Sequence, residues 1–267
     1  MNRHIHISAA LALGLLACSA HASPPTPSYA VLSLVGDKLD IVTYQPQVGT
    51  QLDSNSHLPL TLSQDELDTA ALRAVNRLLR ASAPGAPVAL LAASTADSFA
   101  EQGRMFNGDH VTLPAEIDAA VRREGVTTLV LITKHRGEAR LEVQNGYIGS
   151  GKIEGLGFYM NTIKRMKEHE TGVRSIGYLA PFVYVDVALV DVATSTVTRQ
   201  AAITSGHVIG SSNNPDGVNP WDALSAEEKV STLKRMLSQE LEAVVPALLK
   251  GGVQQSANAS TSPSPGH

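Results

Sequence analysis

Between Phe182 and Val192 the chain alternates with a period of two. Val183, Val185, Val187 and Leu189 point one way, Tyr184 and Asp186 the other. Such alternation belongs to a strand with two different faces. Ala193-Thr194-Ser195 then turns the chain and Thr196–Ser205 returns, which predicts a long hairpin. Next comes a capping box, Ser225-Ala226-Glu227-Glu228. After it Val230, Leu233, Leu237, Leu241, Val244 and Leu248 recur at steps of three and four. A helix with this apolar stripe has to lie on a sheet, and Gly251-Gly252 ends it.

Earlier segments extend the layered pattern. Tyr29–Val35 and Leu39–Tyr44 are β-rich runs separated by Gly36-Asp37-Lys38, which reads as a hairpin. Ser63 to Glu66 is a second capping box, and Leu67, Ala71, Ala74, Val75, Leu78 and Leu79 follow on one helical face. Val88–Ala92 and Thr127–Thr133 are short and wholly apolar, as strands buried on both sides are. Ser94 or Thr95 caps a short helix. Pro114 opens another that ends at Gly125, and Ala139–Val143 is expected to pair with Thr127–Thr133 after an Arg136-Gly137 turn. The fold class is therefore α/β (α+β): a single mixed β-sheet with hairpins at both ends, packed by about four helices.

The ends are addresses and tails. Residues 1–22 have Arg3, an apolar run from Ile7 to Ala17 and a small-x-small site at Ala20-His21-Ala22. This is a signal peptide, too short in its apolar run for a membrane span. Two processing routes are open: cleavage after Ala22, or lipidation of Cys18, because Leu15-Leu16-Ala17-Cys18 resembles a bacterial lipobox. Residues 23–28 form a linker, 29–250 one domain and 251–267 a polar tail expected to be disordered. The chain is thus expected in the periplasm, attached to the outer membrane, or secreted, with membrane contact only if Cys18 is lipidated.

Composition narrows the chemistry. Of 267 residues, 21 are Lys or Arg and 25 Asp or Glu, a net charge of -4, so no basic surplus exists for nucleic acid. One cysteine excludes a disulfide scaffold. Gly146 to Lys152 has phosphate-loop spacing, but Ile153 stands where magnesium needs Ser or Thr. His57, His110, His135, His169 and His207 make no HxxxH or HxH pair, and Glu168-His169-Glu170 reads as a charged turn. No metal or cofactor is expected. Ser205 and His207, with Asp186, offer an alternative serine-hydrolase set. Asp191 reads as a hairpin-turn residue instead.

Residues 144–181 form the unusual segment. It is glycine-rich at its start, carries Leu156, Phe158, Tyr159 and Met160, and continues with Lys164, Arg165 and Lys167. Read as a long loop, it is a binding surface for a protein, lipid headgroup or anionic glycan. Read as a bent strand over Lys152–Asn161, it is ordinary core.

The alternating strand, the Asp191-Val192-Ala193-Thr194 turn, the returning strand and the final helix resemble a group of bacterial envelope α/β domains. These are the TolB N-terminal-like domain, the curli-secretion lipoprotein family and the outer-membrane lipoprotein activators of penicillin-binding proteins. The resemblance covers residues 110–250 and implies a non-enzymatic envelope protein that binds an envelope protein or outer-membrane component. It transfers no functional residue.

Overall fold

The computed structural model describes residues 27–36, 38–46, 55–62, 65–93, 96–167, 174–209 and 219–251. The signal segment with Cys18 and Ala22, the Glu168-His169-Glu170 turn and the tail beyond Gly251 lie outside them.

The fold is a mixed α/β sheet organised along one strand, β12 (Arg174–Asp191). On one side β12 pairs with β13 (Thr196–Gly206), the hairpin expected from the alternation. Asp191 closes its turn by accepting from the backbone and hydroxyl of Thr194 at 2.8 and 2.9 Å.

Two strands share the other side of β12, end to end. β7 (Thr128–Lys134) pairs with Val185–Asp191, and β11 (Lys152–Lys167) takes over at Tyr184. A second line runs beside them. β1 (Tyr29–Ser33) is parallel to β7, and β2 (Lys38–Thr43) is parallel to β11. β1 and β2 therefore point the same way and form one long strand with a kink. The hairpin expected at Gly36-Asp37-Lys38 does not form, because each run finds its partner far away in sequence. Asp37 itself lies outside the described residues.

The kink leaves two buried amides without a strand partner. Asp68, from α1 (Glu66–Ser82), supplies the acceptors: Val35 N–H donates to its Oδ1 at 3.0 Å and Gly36 N–H to its Oδ2 at 3.1 Å. Burial pushes this carboxyl above the usual range, against the lowering effect of those bonds.

The remaining strands lie at the margins. β3 (Ser56–Thr61) pairs with β2 at one edge, and β4 (Val88–Ala92) pairs with β1 at another. Expected as a strand buried on both sides, β4 is an edge strand with Leu90 45% exposed. β5 (Phe106–Asn107) and β6 (His110–Val111) extend the sheet beyond β13.

Each face is covered differently. Val31, Val130, Ile132, Phe158, Val183, Val185 and Val187 face α1 and the final helix, α5 (Ala226–Lys250). The capping box of α5 is present: Glu228 N–H donates to Ser225 Oγ at 3.2 Å and Ser225 N–H to Glu228 Oε2 at 2.8 Å. Gly251 ends the helix with φ 84°. In α1 the N-cap is Asp65, not Ser63, which lies outside the described residues.

The opposite face is split. Over β1 and β7 lie the short helices α2 (Ala96–Ala100) and α3 (Gln102–Met105), then α4 (Ala115–Arg123), burying Leu32, Leu131 and Val190. Over β11 and the first half of β12 lies an excursion of the chain between His135 and Lys152. It contains β8 (Arg136–Glu138), β9 (Leu141–Val143) and β10 (Gly146–Ile148), and it encloses Tyr159, Phe182 and Tyr184. Here another expectation fails: β9 pairs with β10, and β8 with the start of β11, so Ala139–Val143 is not the neighbour of β7. The described residues of the supposed long loop 144–181 are mostly strand: β10, all of β11 and the beginning of β12.

Two substitutions test this architecture. At Gly157 a Cβ would sit 1.9 Å from the Asp40 carbonyl oxygen on β2. Gly157→Ala therefore has to separate β11 from β2, and urea denaturation should show a loss of at least about 3 kcal/mol, as for severe overpacking. Asp68→Ala strands two buried N–H groups and should cost about 3 kcal/mol by the same measurement. A loss below about 0.5 kcal/mol would mean that water replaces the carboxylate at the kink.

Candidate functional site

Past Met160, strand β11 loses its β2 neighbour and continues with β12 as a ribbon. The register jumps there: Asn161 pairs with Tyr178, but the next pair is Arg165 with Ile176. Three residues on β11 thus face one, Gly177, on β12. Asn161 holds this bulge, accepting from Ile163 N–H at 3.0 Å and Lys164 N–H at 2.8 Å through one side-chain oxygen. It is only 5% exposed. Gly177 has φ 83°, and a Cβ there would come within 2.7 Å of both the Asn161 carbonyl and the Pro220 ring. Bulges re-aim the side chains beside them. Here Ile163 emerges 57% exposed, with Ile176 53% exposed across the ribbon.

Beside the bulge is a cavity of about 350 Å³ bordered by Tyr44, Ser150, Tyr159, Asn161, Lys164 and Tyr178. Its floor is rigid. The Tyr159 and Tyr178 rings are 6.3 Å apart and within 10° of parallel, and both are fully buried. Ser150 N–H donates to the Tyr159 hydroxyl at 3.3 Å. Burial pushes both phenols up, so they stay neutral and act as hydrogen-bonding hydroxyls. Among the described residues Lys164 is the one cation of the lining, and no carboxylate borders the cavity. The arrangement can hold a polar ligand with an anionic group; it holds no nucleophile paired with a base.

The residues singled out from sequence divide sharply. Tyr159 and Lys164 meet at this cavity, and Arg165 is exposed on the ribbon. The side chain of Lys167 lies outside the described residues. Leu156 and Phe158 are core, not surface, and Met160 packs against the same core. Phe158 meets Trp221 edge to face at 5.8 Å. Their i, i+2 spacing places them on the α5 side of the sheet, which is why they cannot touch a partner.

Ser205, His207 and Asp186 are not assembled. Asp186 pairs with Ala202, so His207, just past the end of β13, lies five residues further along the chain, roughly 16 Å away at ~3.3 Å per residue. Asp186 instead meets His135 Nδ1 at 3.1 Å, and that ring stacks on Tyr184 at 6.3 Å. The hydrogen bond to Asp186 raises the His135 pKa, while burial lowers that of His207. No sequence pattern announces the His135–Asp186 pair; only the β7–β12 register brings the two together. The glycine segment 146–152 is followed by a strand, not the helix a phosphate loop needs. Among the described residues no three His, Cys, Asp or Glu side chains gather as a metal site.

No protein-family model matches the chain, and no curated protein does. Among solved structures it is similar to a Xanthomonas campestris protein of family model DUF330, with 11% identity, coverage of 86% of this chain and 90% of the other, and TM-score 0.38. The PelC dodecamer from Paraburkholderia phytofirmans gives 13% identity, coverage of 83% and 86%, and TM-score 0.30. A putative neuraminyllactose-binding hemagglutinin homolog from Helicobacter pylori gives 7% identity, coverage of 86% and 87%, and TM-score 0.37.

The His135–Asp186 pair sets a pH dependence. Its folded pKa is raised, so its stabilisation is complete below the unfolded value near 6.5 and is lost as pH rises through the folded value. Urea midpoints at pH 5.5 and pH 8.5 should therefore differ more for the wild type than for Asp186→Asn, with the wild type losing stability on the alkaline side. Equal pH dependence in both proteins would remove the pair from the stability balance.

Proposed function

We propose that this chain is an exported bacterial envelope protein that works by binding, with the cavity at the β11 bulge as its contact point. The observation that carries the reading is the bulge itself. A buried asparagine and a glycine with positive φ hold two extra residues out of a ladder so that Lys164 borders a cavity lined, among the described residues, by no carboxylate. A ligand suited to it offers ring hydroxyls to Ser150, Asn161 and Tyr44 and one negative charge to Lys164. An acidic envelope glycan has this chemistry. Export rests on the sequence of residues 1–22. Among the described residues no helix is long and apolar enough to cross a membrane.

Two measurements test the reading. Calorimetric titration with a uronic-acid oligosaccharide should give binding that weakens at least 10-fold in Lys164→Glu, with the melting temperature unchanged because the side chain is exposed. A neutral oligosaccharide of the same length should bind less well. Absence of binding to both, or equal binding by wild type and variant, would sink the site. Intact mass of the mature chain from membrane and soluble fractions should fit either cleavage after Ala22 or an acylated Cys18; a retained leader would overturn export.

A further inference from the structure

A second cavity, of about 770 Å³, runs along the outer seam between α1 and α5. The helices lie side by side with the same polarity, since Glu66 meets Lys234 at 3.0 Å and, further along both, Arg77 meets Glu242. These two ion pairs bracket the groove. Between them the lining includes Arg73, Arg235 and the hydroxyl residues Thr69 and Ser238. Among the described residues neither Arg73 nor Arg235 is in an ion pair. The groove is roomy because α1 contributes Ala70 and Ala74 to its wall.

This charge distribution runs against the chain as a whole. The protein carries a net charge of -4, yet the groove lining has four cations, Arg73, Arg77, Lys234 and Arg235, against two carboxylates, Asp65 and Glu66, an excess of two positive charges. Lys234 takes Glu66, and Arg77 takes Glu242 from outside the lining, which leaves Arg73 and Arg235 against the one remaining carboxylate, Asp65, and so a surplus of one positive charge. Guanidinium groups match the planar, multi-oxygen face of an oxyanion and bind it through two donors at once. Two such groups with two hydroxyls between fixed ends suit a dianion better than a single carboxylate.

We propose that the α1–α5 groove is a phosphate-binding site, taking a phosphate-bearing ligand through Arg73 and Arg235 with Thr69 and Ser238 as secondary donors. The site lies on the helical layer and does not depend on the glycan reading of the β11 cavity. The phosphate belongs either to a soluble ligand or to a lipid headgroup.

The test uses the full chain and a double variant, Arg73→Gln with Arg235→Gln. Both arginines are exposed, so the variant should fold as the wild type does. Melting temperature is followed against inorganic phosphate, with chloride at matched ionic strength as reference. Phosphate should raise the wild-type melting temperature, and the double variant should lose that shift. The same pair is then sedimented with phosphatidylglycerol vesicles and with phosphatidylcholine vesicles. Co-sedimentation with phosphatidylglycerol that the double variant loses supports the site and assigns the lipid source. A phosphate shift lost in the variant without co-sedimentation supports it and assigns a soluble ligand. A wild type with neither a phosphate shift nor co-sedimentation with phosphatidylglycerol, or a double variant that keeps whichever response the wild type shows, overturns the proposal, as does a shift that Lys164→Glu removes and the double variant keeps.

Discussion

Everything in this molecule is arranged around one edge of β12 having to serve two strands. β7 covers its second half and β11 its first, so both lines of strands beside β12 must break at the same level. A break in a buried sheet exposes backbone amides, and each buried amide left without an acceptor costs about 1–3 kcal/mol. Asp68 closes the break between β1 and β2. The break between β7 and β11 is closed by backbone groups: His135 N–H donates to the Tyr184 carbonyl at 3.0 Å, and Gly155 N–H to that of His135 at 3.2 Å. A buried carboxylate is an expensive acceptor, yet it reaches two donors at once, which a neutral side chain oxygen does less well.

The break also creates the room for function. Because the chain leaves the sheet at His135 and rejoins it at Gly155, the intervening residues fold back over β11 and the start of β12, and a tyrosine-rich third core forms beneath them. Ser150, on the way back, reaches the Tyr159 hydroxyl and the rim of the bulge cavity. The other face carries no such excursion. There α1 and α5 pack against a continuous apolar surface, and a recess between them is lined largely by the polar sides of both helices.

The parts readable from sequence are those set by short-range rules. The α5 stripe, its Ser225–Glu228 box and Gly251 are spaced within one helix, and the alternation from Val183 to Leu189 needs only the strand that carries it. Leu129–Ile132 is readable because the middle of a strand with neighbours on both sides and layers on both faces leaves no solvated position. What failed depends on distant partners. Gly36-Asp37-Lys38 has turn chemistry, but each run pairs on both sides with strands more distant in sequence, β1 with β4 and β7, β2 with β3 and β11. Val88–Ala92 has the composition of a central strand and sits at an edge. At the candidate site, Lys164 and Tyr159 were visible as residues, while the grouping was not: Leu156 and Phe158 differ from Tyr159 only in parity, and parity separates the core from the cavity. Asn161, which shapes the bulge, looks like any asparagine until the register is known. Arg73 and Arg235 stand on two helices 160 residues apart in sequence, each reading as a solvated position.

The kinked β1–β2 strand has a consequence for how the chain reaches this state. It is made first, and apart from β3 at residues 56–61 its ladder partners, residues 88–92, 128–132 and 157–160, come much later, with the strand that β7 and β11 align on, β12, later still. Pairings of such sequence separation form slowly because loop closure precedes any gain from contact. The marginal β2–β3 pair can close early, but the ladders that set β1 against β7 and β2 against β11 wait for residues as far along as 160.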